Sequence, residues 1–198
     1  MGVQERRARQ KASIREEILD AARTLFVKEG YEHVSMRKIA EKIEYAPGTI
    51  YLYFRDKADI MERLCEETFS KLLQKMHALN NDPANPLEGL RRGLRTYIQF
   101  GLDNPNHYIV TFVQGKQLPE EHQSKAGQEC FDGLREAVWR CVEAGQLNCE
   151  DVEEVAQAIW AGAHGIVTLW ISCNFPFIEQ TRLVDRVVYI LIEGIRKR

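Results

Sequence analysis

Cysteine is too sparse and too irregular here to hold a fold. Five occur in 198 residues, at 65, 130, 141, 149 and 173, an odd number with no C-x-x-C pair. That spacing excludes a disulfide framework and offers no zinc ligand set, so no metal and no cofactor are expected. The thiols are expected to be small core residues in a reducing cytoplasm. Sustained polar–apolar alternation, hairpin signals and internal repeats are also missing, which excludes sheets and solenoids. The N-terminus lacks a signal-peptide core. The longest apolar stretch, Ile159 to Ile171, is interrupted by His164 and Thr168, so no membrane span is expected. Nor is there a nucleophile motif, an HExxH, a phosphate loop or a carboxylate pair. Posing His164 with Cys141 or Cys173 as base and nucleophile has no fixed spacing behind it. Catalysis is not expected.

A strong charge of one sign is absent as well, the formal net charge being −2. Its distribution says more. Residues 1–60 carry 12 basic and 10 acidic side chains, and the rest carry 15 and 19. Five basic groups against one acid fall in the first fifteen residues. Any contact with nucleic acid must therefore be local to the N-terminal end. Residues 1–12, with Arg6, Arg7, Arg9 and Lys11, show no hydrophobic period and read as a basic, mobile arm.

What is present is helical periodicity. Ser13-Ile-Arg-Glu16 fits a capping box, and Ile14, Ile18, Ala21, Ala22, Leu25 and Phe26 form one helical face that Gly30 ends. Ser35 caps a second helix carrying Met36, Ile39, Ala40 and Ile43. After a break at 44–46, Pro47 suits the first turn of a third helix, with Ile50 and Phe54 inward. Asp56, with Asp59 three residues on, caps a fourth helix that runs to about 79, long enough to link two domains. Asn80 to Pro86 is a loop. Further helices are expected over 87–103, from Asn104-Pro105 to Gly115, from Pro119 to about 144, and over 149–173 and 179–196. The expected fold is all-α with about nine helices. A small three-helix domain over 13–58 precedes a larger helical domain over 59–198.

Residues 35–54 read as a helix-turn-helix whose second helix enters the major groove. Gly48 is a poor helix former, and a residue without Cβ lets a backbone approach another surface closely. Thr49, Tyr51 and Tyr53 point outward beside Arg55 and Lys57. With Ala21-Ala22, Leu25-Phe26, Gly30-Tyr31, Ser35-Met36, Ile39-Ala40, Ala46, Gly48 to Tyr51, Tyr53-Phe54 and Lys57, residues 12–72 resemble the DNA-binding domain of the TetR/AcrR family of bacterial transcriptional repressors. The resemblance implies DNA contacts from Arg37, Lys38, Pro47, Gly48, Thr49, Tyr51, Tyr53 and Lys57. It also implies a homodimer on a palindromic operator of double-stranded DNA, released by a small-molecule effector. The run Trp160 to His164-Gly165 is similar to a Trp…His-Gly signature of one effector-domain subgroup.

Tyr97, Phe100, His107, Tyr108, Phe112, Trp139, Trp160 and His164 are candidates to line an apolar effector pocket, though interior aromatics are commonly just core. In the eighth helix Val152, Ala156, Ile159, Ala163, Ile166 and Trp170 form one stripe. Val184, Val187, Leu191 and Ile195 repeat the pattern in the last. Both stripes are expected to meet a second copy in a four-helix bundle. Two rivals stay open: a regulator without an effector, and a helical ligand carrier whose helix-turn-helix no longer reads DNA.

Overall fold

Ile18, Leu19, Ala22, Leu25 and Phe26 supply the buried stripe around which α1 (Val3–Glu29) forms. The computed structural model describes residues 2–79, 85–115, 124–173 and 179–197. Its first departure from expectation is the basic arm, because residues 3–12 continue α1 as helix. Ala, Arg, Gln, Glu and Lys are the best helix formers, and lengthening an existing helix costs only propagation, not nucleation. A stretch that is polar all round carries no period for a sequence reading to detect. Accordingly Ser13 is no cap. Its hydroxyl donates to the Glu17 carboxylate at 3.3 Å in mid-helix, and the helix starts at Gly2, whose N–H donates to Glu5 Oε2 at 3.1 Å.

The chain divides into two compact units, residues 1–68 with 106–124 and residues 69–105 with 125–198. This differs from the boundary at 58/59 read from sequence. In the first unit α1 is followed by a single 3-10 turn (Tyr31–His33), α2 (Met36–Lys42), α3 (Pro47–Ile50) and the start of α4 (Lys57–His77). Ile39, Ile50, Phe54, Ile60, Met61 and Leu64 join the α1 stripe in one core. Each such side chain contributes roughly 1.5–3 kcal/mol by leaving water. Ser35 Oγ accepts the Lys38 N–H at 3.2 Å, as expected of a cap. At the next helix the capping is reciprocal: the Asp59 N–H donates to Asp56 Oδ1 at 2.8 Å, and the Arg55 N–H to Asp59 Oδ2 at 2.9 Å. The segment after α6 (Pro105–Tyr108) winds as a π-helix over Ile109–Gln114 and packs on α1, where Gln114 Nε2 donates to the Phe26 carbonyl at 2.9 Å.

The second unit is built from α5 (Pro86–Asp103), α7 (Lys125–Glu143), α8 (Val152–Ser172) and α9 (Gln180–Glu193). Asn85 and Asp151 cap α5 and α8 through their side chains. α5 and α8 each pack against the other three helices. Leu90, Leu94, Ile98, Val138, Ala156, Ile159, Ala163, Val167, Val184, Val188 and Ile192 fill the space between them. α8 is long and apolar enough to cross a membrane by composition, and its buried residues Ala156, Ile159, Ala163, Ile166 and Val167 pack among α5, α7 and α9. Among the described residues there is no strand, only an isolated antiparallel bridge between Leu147 and Arg196. Residues 80–84 of the expected loop at 80–86 lie outside the described residues, as does the helix start at Pro119, while Pro86 already belongs to α5.

Of the two apolar stripes expected to meet a second copy, the one on α8 turns inward on its own chain at its four central residues, and the one on α9 only at Val184. Ala156, Ile159, Ala163, Ile166 and Val184 are buried within one protomer. A methyl group at Gly162 would meet Leu191 Cδ2 at 2.5 Å, so Leu191 seats against its own α8. The Ile195 carbonyl accepts the Asn148 N–H at 2.8 Å, which ties that end of the chain to the α7–α8 connection. Val152, Trp170, Val187 and Ile195 are only half covered. The exposed apolar side chains on these helices are instead Trp160 and Leu169 of α8 and Tyr189 and Ile190 of α9. A heptad-like spacing identifies an apolar face but does not say which neighbour covers it.

Candidate functional site

The turn between α2 and α3 is closed by two backbone bonds. The Tyr45 N–H donates to the Ala40 carbonyl at 3.0 Å and the Glu44 N–H to the Glu41 carbonyl at 3.3 Å. This is the Schellman pattern, and it places Glu44 at φ 60, a conformation that favours glycine. The end of α7 uses the same pair of bonds, Gln146 to Cys141 and Gly145 to Val142, with a glycine at the left-handed position. The helix-turn-helix thus holds its angle with a strained glutamate where α7 has an unstrained glycine.

Only Pro47–Ile50 are α-helical in the reader segment, shorter than the expected stretch to 54. The Leu52 and Tyr53 N–H groups then bond to the Thr49 and Ile50 carbonyls in tighter turns, and the Phe54 N–H bonds to the Ile50 carbonyl at α-helical spacing. Ile50 and Phe54 are buried as expected, with Arg15 of α1 stacked 4.9 Å from the centre of the Phe54 ring. Pro47, Gly48, Tyr51 and Leu52 are exposed on one side, Leu52 to 76%. Thr49 and Tyr53 are half exposed beside them. A Cβ on Gly48 would touch nothing within 4 Å. Nothing inside this chain calls for a glycine there. Leu52, a leucine between two tyrosines and off the buried face, is not among the residues that the resemblance implies as DNA contacts.

The basic residues are less free than their sequence suggested. Arg37 is 80% exposed and pairs with Glu41 at 3.0 Å. Lys38 forms an ion pair with Glu29 of α1. Lys57 departs furthest from an outward-pointing phosphate contact. Its Nζ donates to the Tyr31 carbonyl at 2.7 Å and stands 4.1 Å over the centre of the Tyr31 ring. Burial, with Glu32 and Asp56 adding, raises the Tyr31 phenol above its ordinary value.

In the second unit Tyr97, Trp160 and His164 come together. Trp160 Nε1 donates to Tyr97 Oη at 3.1 Å, and the His164 ring lies 5.7 Å from that of Trp160. His164 Nε2 is 3.2 Å from Thr168 Oγ1, and desolvation lowers the imidazole below its usual value. Phe131 of α7, not singled out as a pocket residue, meets Trp160 edge-on at 6.0 Å. Phe100 is buried on α5. Trp139 does not join them. It is 48% exposed, because Val138 and Cys141 define the buried face of α7 and the next residue along turns about 100° away. Tyr108 and Phe112 stack at 4.5 Å within the first unit, which also holds His107. The eight candidate lining residues are therefore split between the two units. No group of three or more His, Cys, Asp or Glu that could hold a metal occurs among the described residues.

A family model described as bacterial regulatory proteins of the tetR family matches residues 18–64, and a second, described as a tetracyclin repressor-like C-terminal domain, matches residues 90–191. The fatty acid metabolism regulator protein of Bacillus subtilis strain 168 is 26% identical over 189 residues, which span 92% of this chain and 95% of that protein. The fatty acid degradation regulator FadR of Bacillus halodurans superposes with a TM-score of 0.76 at 26% identity, covering 93% of this chain and 97% of that one. FadR of Bacillus subtilis in complex with stearoyl-CoA superposes with a TM-score of 0.75 at 25% identity, covering 91% and 98%. With the C-terminal match alone spanning more than half of its length, the chain belongs to the TetR family of DNA-binding transcriptional regulators.

Proposed function

We propose that this regulator is a homodimeric repressor that leaves a palindromic operator when a long-chain acyl compound binds its larger unit. The observation that carries the DNA reading is the open space at Gly48. A helical glycine costs about 1 kcal/mol against alanine, and neither packing nor backbone conformation within the chain repays that cost. A close approach of the DNA backbone does. Around it Pro47, Thr49, Tyr51 and Tyr53 contact the duplex, with Arg37 and Lys38 on the flanking phosphates. Lys57 acts mainly by holding Tyr31, and the helical extension carrying Arg6, Arg7, Arg9 and Lys11 adds non-specific attraction.

The acyl preference is supported by likeness to the two FadR structures and by the aromatic side chains gathered on α5, α7 and α8. On this reading Tyr97, Phe100, Trp160 and His164 line the effector's path. Dimerisation uses the exposed faces of α8 and α9, with Leu169 and Ile190 at the contact. α4 contributes residues 57–68 to one unit and 69–77 to the other, and is the covalent route by which binding is felt at the reader. The protein works in the cytoplasm and performs no catalysis. Selecting bound sequences from random DNA, then adding stearoyl-CoA to the selected complex, tests both halves. Failure to enrich any palindrome removes the operator reading, and enrichment without release by acyl compounds leaves a regulator of another effector.

A further inference from the structure

A surface groove of about 560 Å³ lies between α5 and α9, walled by Arg91 and Arg95 of α5, Arg182 and Arg186 of α9, and Glu179, Asp185 and Tyr189. Four guanidiniums face two carboxylates there, in a chain whose net charge is −2. The acids are already committed. Asp185 accepts from Arg95 Nε at 2.7 Å. Glu179 accepts the Arg182 and Thr181 N–H groups at 2.9 and 2.8 Å, bonds that hold its carboxyl below the usual range. Arg91 is paired outside the wall, with Glu193 at 2.5 Å.

That leaves Arg186, and Arg182, whose charge also helps to lower the Glu179 carboxyl but which has no ion pair to it. They sit four residues apart on one face of α9, an arrangement in which like charges repel. No ion pair to either guanidinium is present among the described residues, and Arg186 lies 5.7 Å from the centre of the Tyr189 ring. The two α5 arginines are held in place by their carboxylates, so the groove is stiff on one side and open on the other. Guanidinium forks match phosphate oxygens, and two of them one helical turn apart suit an anion with two linked phosphates.

We infer that the α5–α9 groove is a binding site for a phosphorylated small molecule, with Arg182 and Arg186 gripping a diphosphate group. The site is independent of the acyl reading, because its walls share none of Tyr97, Phe100, Trp160 and His164, the residues proposed to line the effector's path. Calorimetry on the full-length protein tests it, with inorganic pyrophosphate as the probe and ionic strength held constant with sodium chloride. Saturable binding is expected, weakened about tenfold for each of Arg182→Ala and Arg186→Ala. Arg140→Ala, which removes the same charge from the outer face of α7, leaves it unchanged. Coenzyme A is run beside pyrophosphate. Tighter, Arg182-dependent binding of coenzyme A identifies a diphosphate carried on a larger molecule, and equal binding identifies the bare anion. Equal affinity of the wild type and the Arg182→Ala, Arg186→Ala double variant for pyrophosphate overturns the site. So does heat from sodium sulfate that matches pyrophosphate in every protein.

Discussion

The ammonium group of Lys57, at the first turn of α4, bonds to the backbone carbonyl of Tyr31 at 2.7 Å while sitting over that residue's ring. The two are 26 residues apart, and between them lies the whole helix-turn-helix. One side chain thus closes the motif from start to finish. Tyr31 packs in turn on Phe26, ring to ring at 5.3 Å, so the clasp reaches the core of α1.

Lys57→Met keeps the aliphatic stem over the ring and removes the charge. It should destabilise the protein by roughly 1–2 kcal/mol, the sum of one cation–π contact and one charged hydrogen bond. Urea unfolding measures the loss. Salt titration of DNA binding then separates roles. An unchanged slope of log K against log salt means the group is structural, and a slope flatter by about one means it also meets a phosphate.

Gly48→Ala should move stability and affinity in opposite directions. The added methyl enters open space and raises helix propensity, a gain of up to about 1 kcal/mol. Operator affinity should fall, because the methyl occupies the approach to the DNA backbone. Thermal unfolding and a gel-shift titration on the same sample decide it, and unchanged affinity would contradict the proposed contact.

Glu44→Gly should stabilise the fold by about 1 kcal/mol, since glycine adopts φ 60 without cost. Gly145→Ala should lose a similar amount at the matching turn of α7, where φ is 67. Denaturant midpoints of the two variants should therefore shift in opposite senses.

Two arginine substitutions distinguish the faces of α8 and α9. Ile190→Arg, on the exposed side, should yield a folded monomer by sedimentation whose palindrome binding falls to that of one half-site. Ala163→Arg, fully buried in its own chain, should fail to fold at all. A folded, dimeric Ile190→Arg protein would move the interface elsewhere.

Acid should weaken the fold through His164. Desolvation lowers its folded-state value below 6.5, so below that pH the unfolded chain binds the extra proton more readily than the folded one. Stability is therefore kept above about pH 6.5 and lost as the pH falls through the lowered value. Urea midpoints between pH 7.5 and 5 should drop more in the wild type than in His164→Gln.

Much of this was legible in the residues themselves. The α1 stripe, the Ser35 and Asp56 caps and the Pro47 start are local signals, decided by atoms within a turn or two, and they stand as read. The reader's outward face followed from the inward placement of Ile50 and Phe54. What only the tertiary structure decided was partnership. Ala163 and Leu191 lie on good apolar stripes, yet it is Gly162 and the neighbouring helices of the same chain that cover them. Lys57 has the composition of a phosphate contact, yet a carbonyl 26 residues earlier claims it. Trp139 and Val138 are adjacent in sequence and differ in burial because one helical step separates core from solvent. Period and capping are properties of a segment. Which surface meets which depends on chain closure in three dimensions, and no local pattern encodes it.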